Sequence, residues 1–124
     1  MPINHLQIHV ADLEATRKFY SAALEPLGIK ELYHYEGDVV GYGLPGKKPD
    51  IWLRQVKEGR SPSTRVHLAF NADNREQVEK FHEAALKAGA KDNGAAGERD
   101  YFPGYYAAFA FDPDGNNVEV VHLP

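Results

Sequence analysis

Three side chains in this 124-residue chain could hold a divalent ion together: His5, His67 and Glu119. Two imidazoles and one carboxylate, with coordination positions left open, are a ligand set used by non-haem Fe(II) and by catalytic Zn(II). The same set accepts Mn(II), Co(II) or Ni(II). With no cysteine in the chain, disulfides, thiolate nucleophiles and sulfur-rich zinc or iron–sulfur sites are excluded, so any metal must use nitrogen and oxygen donors. Polar residues alternating with apolar ones are also what any strand with a solvated face shows, so one histidine alone would carry little. The joint placement of the three is what points to a site.

That placement comes from a repeat. The segment HLQIHVADLEATRKFYSAAL, beginning at His5, lies without a gap over HLAFNADNREQVEKFHEAAL, beginning at His67, at an offset of 62 residues; eight of the twenty positions are identical. Such self-similarity is read as duplication and sets the architecture. Each copy opens with an apolar alternation of period two, through Leu6, Ile8 and Val10 and through Val66, Leu68 and Phe70, which predicts a half-buried strand. A helix follows each strand. Asp12 is the expected cap of the first, whose apolar stripe runs to Leu27; Asp73 with Glu76 is the expected capping box of the second. Gly28 and Gly89 mark the places where these helices stop. Three short strands complete each half, over about 30–36, 39–44 and 50–56, then 90–94, 105–111 and 117–122, with Asp112-Pro113-Asp114-Gly115 as the last turn.

The predicted fold is α+β: two tandem βαβββ modules, 1–60 and 61–124, forming a curved sheet around a cleft with the helices outside, within one domain. The length suits a single domain with one core. Side chains alternate across a strand, so assigning the apolar sets to the helix side leaves a second face. It carries His5, Gln7 and His9 on the first strand, Trp52 and Arg54 on the fourth, His67 on the fifth and Glu119 on the eighth. Modules facing one another would gather His5, Trp52, His67 and Glu119 near a pseudo-two-fold axis. His9 shares a face with His5 and is a candidate proton carrier. By contrast, His82 is expected at the surface, His122 opposite to Glu119, and His34 on a strand of open register.

Between the second helix and the seventh strand, NGAAGERDYFPGYY (93–106) holds three glycines and a proline and predicts a mobile loop that could cover the cleft. Arg99 there could pair with a substrate carboxylate. Tyr101, Tyr105 and Tyr106 offer ring area and a hydroxyl, Tyr101 being a second candidate for the catalytic proton. Gln7, Trp52, Arg54, Arg99 and Tyr105 are the expected substrate contacts, a tryptophan in the cleft favouring a flat or aromatic ligand.

Composition narrows the partners. A net charge of −4 with dispersed Lys and Arg gives no basic stripe for nucleic acid, and no apolar run approaches the roughly 20 residues of a membrane span. MPINHLQIHV lacks the basic and apolar regions of a signal peptide, so a cytoplasmic location is expected. A small-molecule substrate and a homodimer complete the expectation.

The stretches NHLQIHVADLEATRKFYSAAL, VHLAF and FDPDGNNVEVV together resemble the vicinal oxygen chelate superfamily, which includes glyoxalase I, extradiol dioxygenases, fosfomycin-resistance thiol transferases and bleomycin-resistance proteins. The resemblance spans nearly the whole chain. It implies paired βαβββ modules with metal ligands on the first, fourth, fifth and eighth strands, matching His5, Trp52, His67 and Glu119. Trp52 departs from the glutamate of many glyoxalase I enzymes, so three ligands look more like the dioxygenase and fosfomycin-enzyme arrangement. The function implied is a metal-dependent lyase, isomerase or oxygenase acting on vicinal oxygens. The alternative is a metal-free binder similar to the bleomycin-resistance proteins. Paired modules could come from one chain or be exchanged between two.

Overall fold

The computed structural model describes residues 3–124. In chain order it runs β1 (Leu6–Val10), α1 (Leu13–Ala23), β2 (Lys30–Tyr35), β3 (Val39–Gly43), β4 (Ile51–Gln55), β5 (His67–Asn71), α2 (Arg75–Lys87), β6 (Lys91–Glu98), β7 (Tyr106–Phe111) and β8 (Asn117–His122). The strands make two four-stranded sheets of matching order, β1-β4-β3-β2 and β5-β8-β7-β6. In each, the first strand pairs parallel with the fourth and the remaining pairs are antiparallel. This is the expected α+β architecture of tandem βαβββ modules.

Local chemistry fixes the helix ends. Asp12 is extended and accepts a hydrogen bond from the Ala15 amide at 3.1 Å, opening α1 as expected. The buried stripe Leu13, Thr16, Phe19, Tyr20 and Ala23 has the spacing of one helix face. The helix stops before Leu27, short of its apolar pattern, because Pro26 has no N–H to continue the ladder. The chain tightens into a 3-10 turn over Glu25–Leu27 and leaves through Gly28 at φ 77°.

The cap of α2 lies one residue later than the sequence predicts. Asn74 accepts from the Gln77 amide at 2.9 Å, and the Gln77 side chain returns a bond to the Asp73 amide at 2.7 Å. Glu76, the expected partner, instead bonds Lys80 one turn along at 2.9 Å. A second correction concerns the loop expected at 93–106, whose first part is strand: β6 continues to Glu98. Its pairing with β7 slips between Asp92 and Gly94 and again between Gly94 and Gly97, so the glycines that read as loop punctuation are bulges in an edge strand.

One buried cluster runs through both modules, with Phe19, Tyr20 and Leu24 from the first half and Val78, Phe81 and Ala85 from the second. The helices make the junction: α1 packs on α2, while no strand of one sheet bonds to the other among the described residues. Consequently the faces of β1 and β5 turned away from the helices are open to solvent at Gln7, His9, His67, Ala69 and Asn71. No helix is long and apolar enough to cross a membrane.

Candidate functional site

On β8, Val118 and Val120 are fully buried, and the alternation sends Glu119 to the opposite face. Glu119 is nonetheless only 2% exposed, an expensive position for a carboxylate without partners. Both oxygens have one. His67 Nε2 lies 2.7 Å from Oε1, and the Tyr105 hydroxyl donates to Oε2. Desolvation, reinforced by the bond to Glu119, pushes the Tyr105 hydroxyl up to about 12, so it keeps its proton at neutral pH. The His67 side chain is 55% exposed, so the imidazole is open to solvent while the carboxylate it meets stays covered.

The surrounding residues of the second module support this pair. Glu119 sits in register with Ala69 on β5 and Phe109 on β7. The Phe109 ring is 6.3 Å from His67, and Tyr101 meets Tyr105 edge-on at 5.1 Å. Arg99 lies 5.3 Å from the Phe109 centroid and donates to the carbonyls of Ala95 and Gly97, both at 2.8 Å. A Cβ on Gly94 or Gly97 would come within 3.1 or 3.2 Å of its terminal nitrogens, so both glycines make room for the guanidinium.

The first module presents a different surface. Gln7 pairs in register with Trp52 as Ala69 pairs with Glu119, which places Trp52 at the position equivalent to the buried carboxylate. Its indole packs over Gly41 and meets Tyr33 edge-on at 5.5 Å. Arg54 bonds Gln7 Oε1 at 3.2 Å and Asp38 at 2.7 Å. His5 is exposed, its Nδ1 taken by Asn4 at 2.7 Å. His9 is exposed too and lines a separate concavity with Arg54, Lys57 and Arg60.

Of the expected site residues, then, the chain brings together His67, Glu119 and Tyr105, with Tyr101 and Arg99 beside them. It holds His5, Gln7, Trp52 and Arg54 together on the other module. Among the described residues of one chain, no three His, Asp or Glu side chains are grouped closely enough to hold one ion. The donors nonetheless fit a divalent ion in kind: Glu119 and His67 adjoin, and the Asn4 bond at His5 Nδ1 leaves Nε2 for a ligand. Two donors come from one module and the third stands on the other.

Phe109, Tyr33 and Gly41 are contributors that the sequence does not single out. A glycine inside an apolar strand is a usable sign of close approach, and Gly41 had it. His82, expected at the surface, is largely covered instead, its side chain 13% exposed and bonded to Asp92 at 2.8 Å. His122 bonds the Ala72 carbonyl at 3.1 Å and takes no part in the site.

Comparison with known proteins agrees with the fold. Residues 2–120 match the profile of the Glyoxalase/Bleomycin resistance protein/Dioxygenase superfamily. The chain is 32% identical to YqjT, an uncharacterized protein of Bacillus subtilis, over 96% of this chain and 97% of that one. A glyoxalase/bleomycin resistance protein from Albidiferax ferrireducens superposes with a TM-score of 0.82 at 29% identity, covering 98% of both chains. The fosfomycin resistance protein FosX of Listeria monocytogenes, solved as a mutant with Mn(II) and 1S,2S-dihydroxypropylphosphonic acid, shares the fold at a TM-score of 0.68 and 19% identity, over 97% of this chain and 88% of FosX. With its duplicated modules, their matching strand order and this profile along nearly its whole length, the chain belongs to the Glyoxalase/Bleomycin resistance protein/Dioxygenase superfamily.

Proposed function

We propose that the protein is a divalent-metal-dependent enzyme of lyase, isomerase or oxygenase type, taking a small molecule by two adjacent oxygens. The observation that carries this reading is Glu119, a buried carboxylate held at one oxygen by Tyr105 and placed by the other against the exposed His67. His67, Glu119 and His5 would hold the ion. Because His5 stands on the other module and the sheet faces of β1 and β5 are open, the reading includes a homodimer in which His5 of one copy meets His67 and Glu119 of the second. FosX, with Mn(II) and a vicinal diol bound on the same fold, lends support.

The bound metal, one of Fe, Mn, Zn, Ni or Co, would supply Lewis-acid polarisation of the substrate's oxygens. The chain's own residues do the rest. Tyr105, keeping its proton, orients the Glu119 carboxylate and does not serve as a base. His9 and Tyr101 are the residues we assign to proton movement, and Gln7, Trp52, Arg54 and Arg99 to substrate contact.

A second reading, a metal-free small-molecule binder, draws on one observation: both Glu119 oxygens are already satisfied by protein groups. Melting of chelator-stripped protein separates the two. An ion at 100 times its dissociation constant adds about 2.7 kcal/mol, a rise of about 10 °C for a domain of this size. Mn(II), Fe(II), Co(II), Ni(II) and Zn(II) are added in turn to wild type, His67→Ala and Glu119→Gln. A wild type that responds no more than the variants favours the binder.

A further inference from the structure

A glycine in the middle of a strand weakens it, and it is found where something must come close. Gly41, central in β3, has such a neighbour. A Cβ there would lie 2.8 and 2.9 Å from two atoms of the Trp52 six-membered ring and 3.0 Å from Pro49 Cβ. Trp52 therefore packs over bare backbone, while Tyr33, in register with Gly41 on the next strand, braces it edge-on. The indole remains half-buried, with Tyr33 49% exposed beside it. The main core cluster lies on the other face, with Leu53 and Val40.

Trp52 forms one wall of a concavity of about 340 Å³ that His5, Gln7, Lys48 and Arg54 help to line. Small-molecule pockets begin near this size, about 300 Å³. The charged residues lining it are both cations. Lys48 is held by Asp50 at 2.9 Å and Arg54 by Asp38 at 2.7 Å, and neither acid is among the lining residues. Each cation thus has its paired acid outside the concavity, while Lys48 also donates to the Asn4 carbonyl on the lining itself. Arg54 is further fixed by Gln7, and its NH2 group makes no bond within the chain among the described residues.

We infer that this concavity binds a planar, anionic aromatic group, its ring against Trp52 and its carboxylate or equivalent anion on Arg54 and Lys48. Ring stacking favours a flat unsaturated ligand over a puckered aliphatic one, and a guanidinium favours a planar anion. The assignment deepens the proposed function by naming a substrate class, and takes from that reading only that this face meets substrate. Gly41 and Tyr33 act as positioning residues through Trp52.

Trp52 is the sole tryptophan, so its fluorescence reports the site directly. The full-length protein, kept in chelator so that metal binding plays no part, is titrated with benzoate, cyclohexanecarboxylate and benzyl alcohol. Benzoate is expected to change the emission saturably, and the other two to bind about tenfold more weakly, for want of the ring or of the charge. Arg54→Gln and Gly41→Ala should each weaken benzoate by about tenfold, with Tyr33→Leu as the second positioning variant should Gly41→Ala fold poorly. Equal binding of benzoate and cyclohexanecarboxylate, no saturable response to benzoate, or unchanged affinity in a folded Gly41→Ala or Tyr33→Leu protein would overturn the assignment. A failed metal titration with intact benzoate binding would remove the metal chemistry alone.

Discussion

Tyr20 donates its hydroxyl to Asp112 Oδ2 at 2.7 Å across 92 residues of sequence, and both residues are buried. The bond joins a helix of the first module to the turn before the last strand of the second. Asp112 is a hub: Oδ1 accepts from the amides of Asp114 and Asn116, and Oδ2 also accepts from the Asn116 side chain. Asn116 in turn bonds the Ser63 carbonyl and the Val66 amide, tying down the segment between the modules. The motif that read as a turn is thus also the clasp between the two halves.

Removing the clasp should be costly. Asp112→Ala strips partners from four donors at once, and a loss of about 3 kcal/mol is expected. Tyr20→Phe removes one bond to a charged acceptor that keeps its others, for about 1–2 kcal/mol. Urea unfolding at neutral pH measures both. Equal effects of the two substitutions would show that the turn contributes nothing beyond the tyrosine bond.

The same bond predicts alkaline sensitivity. Burial, and then the Asp112 charge, raise Tyr20 well above its ordinary value near 10, and burial pushes Tyr42 up to about 12. A tyrosine whose folded pKa lies above its unfolded one binds more protons when folded, so its stabilisation is complete below pH 10 and declines as pH rises further. Each such group contributes at most about 1.4 kcal/mol per pH unit. Unfolding free energy should therefore fall above about pH 10, and less steeply in Tyr20→Phe. An unchanged slope in that variant would place the titration elsewhere.

Where the helix of the second module begins is testable by a pair of substitutions. Asn74→Ala should cost about 1 kcal/mol as a lost cap, and Asp73→Ala under about 0.5 kcal/mol, since only the Asp73 amide takes part. The reverse order would restore the cap to the position read from sequence.

These contrasts show what the sequence carried. The period-two alternation and the repeat were enough to assign faces, because Ile8, Val10, Leu53, Val118 and Val120 have no other way to reach the helices. They also made Trp52 the counterpart of Glu119, as the registers show. The bulged β6 was hidden because Gly94 and Gly97 carry the same signal in a loop as in a distorted edge strand. Nor could alternation alone tell that the modules join through α1 and α2, since it fixes the face of a residue and says nothing of what that face meets.

If Glu119 holds the proposed ion, Tyr105 should tune that carboxylate without binding the ion itself. Tyr105→Phe leaves Glu119 in place but frees Oε2, and metal affinity is expected to fall by about tenfold, the scale for losing a group that orients a ligand. Glu119→Gln should abolish binding. Titration of Mn(II) or Co(II) into the two variants distinguishes them, and equal losses would make Tyr105 a donor to the ion.

Exchange of modules between copies makes a stricter prediction. In a dimer built so that His5 of one copy meets His67 and Glu119 of the other, His5→Ala and His67→Ala proteins each lose every complete site. Refolded together in equal amounts, half of the dimers are mixed, and each mixed dimer carries one site with no substitution and one with both. Metal capacity should then recover to about a quarter of wild type, as two-fold symmetry requires. A site assembled within one chain gives no recovery on mixing, because every chain still lacks one of its own ligands. Metal analysis after gel filtration decides between these outcomes, and it does so whichever ion is used, since the count depends on connectivity and not on affinity.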